Sequence, residues 1–130
     1  MIDHTGVTVS DFAASKAFYS AALGAIGYAK LEFGSEITGS TSVAGFGEPP
    51  KPDFWIYAGT PNRPAIHIAF RVATRAQVRA FHAAALAAGG ACNGPPGPRA
   101  HYHPNYYGAF VHDPDGHNIE AVCHDPEDHS

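Results

Sequence analysis

The amino-acid sequence matches itself when displaced by 63 residues. His4 falls on His67, Val9 on Val72, Ala13 on Ala76, Ala17 on Ala80, Phe18 on Phe81, Ala22 on Ala85 and Leu23 on Leu86, without a gap. An offset near half of a 130-residue chain means two copies of one unit rather than a solenoid. Two copies predict two similar halves packed together about a pseudo-twofold axis.

Each copy opens with a strand. In 65–73, Ile66, Ile68, Phe70 and Val72 alternate with His67, Ala69 and Arg71, the period of two of a half-buried strand. The first copy is weaker, with Val7 and Val9 on one side and His4, Gly6 and Thr8 on the other. A helix follows in each. Ser10 and Asp11 offer caps before 12–23, and Thr74 with Gln77 fits a capping box before 75–88. Val78, Phe81, Ala85 and Leu86 form one apolar stripe on the second helix. Three shorter strands are expected after each helix, near 28–34, 36–44 and 53–58, then near 91–94, 106–112 and 117–123. Gly45–Pro52 and Gly94–Pro98 read as loops, and Asp113-Pro114-Asp115-Gly116 as a tight turn. Each half is therefore β-α-β-β-β. The chain is read as a single domain over 1–130, with module 1 at about 1–60, a linker at Thr60–Pro64, module 2 at about 65–124 and a loose tail at 125–130. The fold class is α+β.

Composition narrows the partners. Lys and Arg total 8 against 12 Asp and Glu, a net charge of −4, which argues against nucleic acid or an anionic membrane. No apolar run approaches a membrane span, and no secretory signal is visible, so a cytoplasmic setting is expected. Cys92 and Cys123 have neither metal spacing nor a disulfide framework, and read as two buried, reduced thiols. Histidine is in excess, at 9, and only position gives that excess a meaning.

In 65–73 the apolar side must meet the helix, so His67 points to the opposite face. His4 does the same in the first half. In the last strand Ile119, Ala121 and Cys123 share one side, which puts Glu120 with the histidines. Two imidazoles and one carboxylate from three strands suit a divalent metal such as Fe, Mn, Zn or Ni. By the 63-residue offset, Tyr57 takes the place of Glu120 in the first half, as a weak ligand, an acid or a pocket wall. Taken singly, each histidine is more often a surface residue than a ligand, and Glu120 a solvated strand residue; spacing alone leaves both readings open.

The chain resembles the vicinal oxygen chelate superfamily, also called the glyoxalase/bleomycin resistance protein/dioxygenase superfamily. The resemblance is carried by Asp3-His4-Thr5-Gly6-Val7-Thr8-Val9-Ser10-Asp11, Phe18-Tyr19, Leu23-Gly24, Ile66-His67-Ile68-Ala69-Phe70 and Asp113-Pro114-Asp115-Gly116-His117-Asn118-Ile119-Glu120. It implies paired βαβββ modules forming a cup-shaped mixed sheet, helices outside, around a divalent metal held by His4, His67 and Glu120. Tyr57 at the fourth position looks more like three-ligand members, including fosfomycin-modifying enzymes and extradiol dioxygenases, than like glyoxalase I. The resemblance also implies a homodimer, whose modules pair either within or between chains.

The remaining candidates follow from the hairpin around Asp113–Gly116. Pairing His112 with His117 places Ala109 opposite Glu120, so Ala109 and Tyr107 are expected on the face of Glu120. Tyr107 would donate to a metal-bound oxygen, Ala109 would leave room for substrate, and His101 or His103 would move a proton. Arg71 would bind an anionic substrate group at the rim. Trp55, Tyr57, Tyr106 and Tyr107 would line the cleft. His112 and His117 are expected to be exposed or cross-strand partners, and His82 to be packing or surface.

The leading expectation is a metal-dependent lyase, isomerase or dioxygenase acting on a small oxygen-chelating substrate. The alternative is a metal-independent binding protein of the bleomycin-resistance type.

Overall fold

The structure, a computed structural model, describes residues 1–31 and 42–126. Its elements run β1 (Thr5–Val9), α1 (Phe12–Gly24), β2 (Ala29–Leu31), β3 (Val43–Gly47), β4 (Phe54–Ala58), β5 (His67–Arg71), α2 (Arg75–Ala87), β6 (Ala91–Pro98), β7 (Tyr107–His112) and β8 (Asn118–Cys123). The βαβββ unit thus occurs twice, as the repeat requires. Asp11 caps α1 by accepting from the Ala14 amide, and Thr74 with Gln77 closes the expected capping box on α2.

The strands form two four-stranded mixed sheets that do not close into a barrel. Their orders are β1-β4-β3-β2 and β5-β8-β7-β6. The first strand of each module pairs in parallel with the last, and the remaining pairings are antiparallel. Parallel neighbours need a long crossover, and the helix with two strands supplies it.

Two stretches expected as loops contribute strand. Gly45, Phe46 and Gly47 complete β3, while the expected strand positions 32–34 and 36–41 lie outside the described residues. Glycine suits β3 because a Cβ at Gly47 would lie 2.3 Å from the Lys51 carbonyl oxygen, and one at Gly45 would lie 3.0 Å from the Trp55 ring. β6 runs through Gly94–Pro98. It lies at the end of its sheet, and its pairing with β7 shifts register between Cys92 and Gly94 and again between Gly94 and Gly97. An outer strand with bulges tolerates prolines that lack a ladder donor.

One core serves both modules. Val7, Val9, Phe18, Tyr19, Leu23, Phe54 and Ile56 of the first join Phe70, Val78, Phe81, Val111, Ile119 and Ala121 of the second. The Phe70 ring stands edge-on to Phe54 at 5.4 Å and to Tyr28 at 5.8 Å. The helix-bearing faces therefore meet, and the other face of each sheet looks away from the shared core.

A polar clasp also joins the halves. The buried Tyr19 hydroxyl donates to Asp113 Oδ2 at 2.5 Å, and Ser10 donates its amide and hydroxyl to the Asp115 carboxylate. Burial, then the Asp113 charge, pushes the Tyr19 hydroxyl well above its ordinary pKa. Arg63 of the linker donates to the Asp115 carbonyl at 3.0 Å. His117 is fully buried rather than exposed, because its Nδ1 accepts from the Ile66 amide at 3.1 Å and ties the start of β5 to that of β8.

Candidate functional site

The open face of the second sheet holds a three-residue polar cluster. His67 opens β5, and Glu120 sits in the middle of β8. Register places Ala69 beside Glu120, and the His67 Nε2 lies 2.9 Å from Glu120 Oε1. Glu120 is 1% exposed, so its carboxylate needs partners. The Tyr106 hydroxyl supplies one by donating to Oε2. Burial, followed by the hydrogen bond to Glu120, pushes the Tyr106 hydroxyl well above its ordinary pKa, so Tyr106 stays a donor.

The partner is Tyr106 rather than Tyr107. The hairpin pairs His112 with Asn118, Phe110 with Glu120 and Ala109 with Ala121. Asp113 and His117 are bonded across the turn, the loop is three residues long, and Gly116 takes φ +85°. The four-residue loop assumed from the sequence is one residue too long, and one residue of slip turns every β7 side chain over. Tyr107 therefore packs under the guanidinium of Arg75 at 4.9 Å, and Ala109 is fully buried in the core. Phe110 and Gly108 replace them on the site face. Gly108 provides the room expected of Ala109: a Cβ there would lie 3.2 Å from the Tyr106 ring and 3.3 Å from Glu120 Oε2. The sequence reading makes Tyr106 a cleft aromatic, and the three-residue turn is the signal that brings it to Glu120.

A girdle of rings backs Tyr106. Tyr102 lies 4.7 Å from it, His103 5.4 Å and His124 5.4 Å, while His101 packs on Tyr102 at 4.2 Å. His103 Nδ1 accepts from the Asn105 amide, so its proton sits on Nε2 and is donated to His124 Nδ1 at 2.8 Å. His101 and His103 thus touch other rings rather than Glu120. His124, at the edge of the expected tail, is held in place; 127–130 lie outside the described residues. Arg71 is exposed at the end of β5 and lines a separate cavity of about 520 Å³ with Tyr28, Gln77 and His124.

The first sheet's open face differs. His4 precedes β1, is 59% exposed at its side chain, and pairs through Nδ1 with Asp3 at 2.8 Å. It shares a cavity of about 580 Å³ with Lys51, Val43, Pro52, Trp55 and Tyr57. Register pairs Gly6 with Trp55 as it pairs Ala69 with Glu120. The counterpart of Glu120 is therefore Trp55, and Tyr57 stands one step further along the same face. The 63-residue offset holds for the first strand and helix of each copy but drifts by two residues before the last strand, since the intervening connections differ in length.

The expected convergence of His4 on His67 and Glu120 is not found within one chain. Among the described residues, no three His, Cys, Asp or Glu side chains come close enough to share a metal ion. His67 and Glu120 do fit such an ion in part. Two ligand atoms bonded at ~2.1 Å and at right angles lie ~3 Å apart, the separation of Nε2 and Oε1 here.

Duplicated βαβββ modules with a histidine–carboxylate pair on an open sheet face define a class of small α+β scaffolds that build sites on sheet faces. A family model described as the Glyoxalase/Bleomycin resistance protein/Dioxygenase superfamily matches residues 1–121. The chain belongs to that superfamily. Its structure is similar to that of a glyoxalase/bleomycin resistance protein from Albidiferax ferrireducens T118, with 32% identity, a TM-score of 0.75, and 93% of this chain and 97% of that one covered. A glyoxalase/dioxygenase from Nostoc punctiforme shares the fold at 24% identity and a TM-score of 0.70, covering 98% of this chain and 92% of that one. None of the curated proteins matches the chain.

Proposed function

We propose that the protein is a metal-dependent enzyme acting on a small substrate with adjacent oxygens, by lyase, isomerase or dioxygenase chemistry. His67 and Glu120 of one chain and His4 would hold the divalent ion, with His4 supplied by a second copy in a homodimer. The observation that carries this reading is the buried Glu120 carboxylate, held between His67 Nε2 and the Tyr106 hydroxyl on an otherwise open sheet face. A bare surface role would not require a carboxylate to be desolvated there. The packing of both helices on one shared core, with His4 apart from His67 and Glu120, supports a second copy as the source of His4.

A divalent ion at these ligands would supply Lewis-acid polarisation of substrate oxygens. Tyr106 fixes the Glu120 carboxylate through Oε2, while Oε1 faces His67 Nε2. Outer-shell hydrogen bonds of this kind orient carboxylate ligands. His103, with its Nε2 proton directed to His124, buttresses the Tyr106 ring. Trp55 and Tyr57 would form the apolar wall of the substrate pocket. Two free thiols and the absence, among the described residues, of a helix able to cross a membrane accord with a reducing cytoplasmic setting.

The test is metal analysis of the purified protein after loading with Fe(II), Mn(II), Zn(II) or Ni(II), combined with its mass in solution. One ion per chain in a dimer, lost in His67→Ala and in His4→Ala, is expected. Stoichiometric metal retained in both variants, or none in the wild type, overturns the reading. Tight ligand binding on the Trp55 and Tyr57 face that survives a chelator would instead place the protein with sequestering members.

A further inference from the structure

A second pair of chemically matched groups lies on the other side of the same sheet. His82 is on α2, and Cys92 is on β6, which packs against that helix. The His82 Nε2 lies 3.2 Å from the Cys92 sulfur, within hydrogen-bond reach for a thiol. β7 register sets Cys92 opposite Val111, a core residue, so Cys92 faces the helix and not the open face of Glu120. Cys92 is nevertheless exposed, against the sequence expectation of two buried thiols, because β6 is the outermost strand of its sheet among the described residues. Cys123 supplies the contrast: it is buried, and its sulfur is directed at the Ala73 carbonyl at 3.5 Å.

We propose that His82 and Cys92 form a base–nucleophile pair that makes Cys92 a site of covalent modification by soft carbon electrophiles. Three observations support it. The imidazole nitrogen is placed to receive the thiol proton. Partial burial pushes His82 below its usual pKa, which favours the uncharged ring that has a lone pair for a proton. The sulfur is open to reagents, as a reactive thiol must be. In the reaction the sulfur forms a bond to the electrophilic carbon, the leaving group departs with the electrons of its own bond, and the thiol proton passes to His82 Nε2. No oxidant or cofactor is required.

The experiment uses iodoacetamide on the full folded chain at pH 7, with iodide as the leaving group. Rates of carbamidomethylation at Cys92 and Cys123 are followed by peptide mass analysis. Cys92 is expected to react at least about tenfold faster than the same thiol in a short peptide of residues 89–96, a modest share of what a positioned base can supply. Cys123 is expected to stay unlabelled until denaturant is added. His82→Ala and His82→Gln should both bring Cys92 down to the peptide rate, since glutamine can accept a hydrogen bond but cannot take up the proton. Circular dichroism on each variant separates loss of the base from loss of the fold. A wild-type rate equal to that of the peptide, or an accelerated rate retained in folded His82→Ala and His82→Gln, overturns the proposal.

Discussion

The two modules share a topology and differ in what they place on it. Each pairs its first and last strands in parallel, turns alternate apolar residues inward, and leaves one face open. On the second module that face carries His67, Glu120 and Tyr106 in direct contact. On the first it carries His4, Trp55 and Tyr57, with an aromatic ring at the register position of the carboxylate. The glycine pattern follows the rings: a Cβ on Gly6 would lie 2.6 Å from Tyr57 and 2.8 Å from the Trp55 carbonyl oxygen, whereas its counterpart Ala69 carries one without difficulty. The duplicated backbone is one structural solution, and its two outward faces are chemically distinct.

Breaking the second face should have the largest effect. Glu120→Ala removes the carboxylate shared by His67 and Tyr106, and divalent metal affinity measured by calorimetry should fall by about 100-fold or more, while Trp55→Ala should leave it within a few-fold. The helices offer the next contrast, since Tyr19 of α1 is buried on Asp113 while His82, at the same place in the repeat, is not. Tyr19→Phe leaves Asp113 Oδ2 without its donor and should cost about 1–3 kcal/mol in urea unfolding. The raised Tyr19 pKa has a definite sign: its stabilising effect is present below the unfolded tyrosine value near 10 and is lost as pH rises above it. The difference between wild type and Tyr19→Phe should therefore shrink at high pH.

Smaller changes refine the comparison of the strands. Gly6→Ala should destabilise by about 1–3 kcal/mol through overpacking, and the mirror substitution Ala69→Gly by less than about 1 kcal/mol; equal effects would mean that the two faces are packed alike. The smallest effect is expected at Asp53. Lys51, then Tyr28, holds its carboxyl below the usual carboxylate range. The stabilisation is present above the unfolded value near 3.9 and fades as pH falls through the lower folded value. Because Asp53 is partly exposed, Asp53→Asn should cost less than about 1 kcal/mol at pH 7, and still less near pH 3.

The repeat made most of this fold legible. Both helices end within a residue of their expected limits, since caps and apolar stripes are local signals. The Ile119, Ala121 and Cys123 side of β8 faces the core as expected, and Glu120 faces away from it. What escaped was counting. Whether the Asp113–Gly116 turn closes on residue 112 or 113 decides which of Tyr106 and Tyr107 meets Glu120, and composition does not carry that choice. The same holds for Trp55 and Tyr57, which alternation puts on one face without saying which stands opposite Gly6. Prolines in Gly94–Pro98 argue for a loop locally, but the free side of β6 overrides them. The failure of His4 to join His67 is a matter of how whole modules face each other, on which strand periodicity is silent.

The clasp of Ser10, Tyr19 and Arg63 on Asp113 and Asp115 gives the chain a modular construction. The linker between the modules is a short tether across a seam that side chains already close. Its main contribution is a high local concentration of one half about the other. Separately made fragments of residues 1–61 and 62–130 should accordingly recognise each other and restore the native far-ultraviolet spectrum when mixed, with an affinity that collapses in Asp113→Ala.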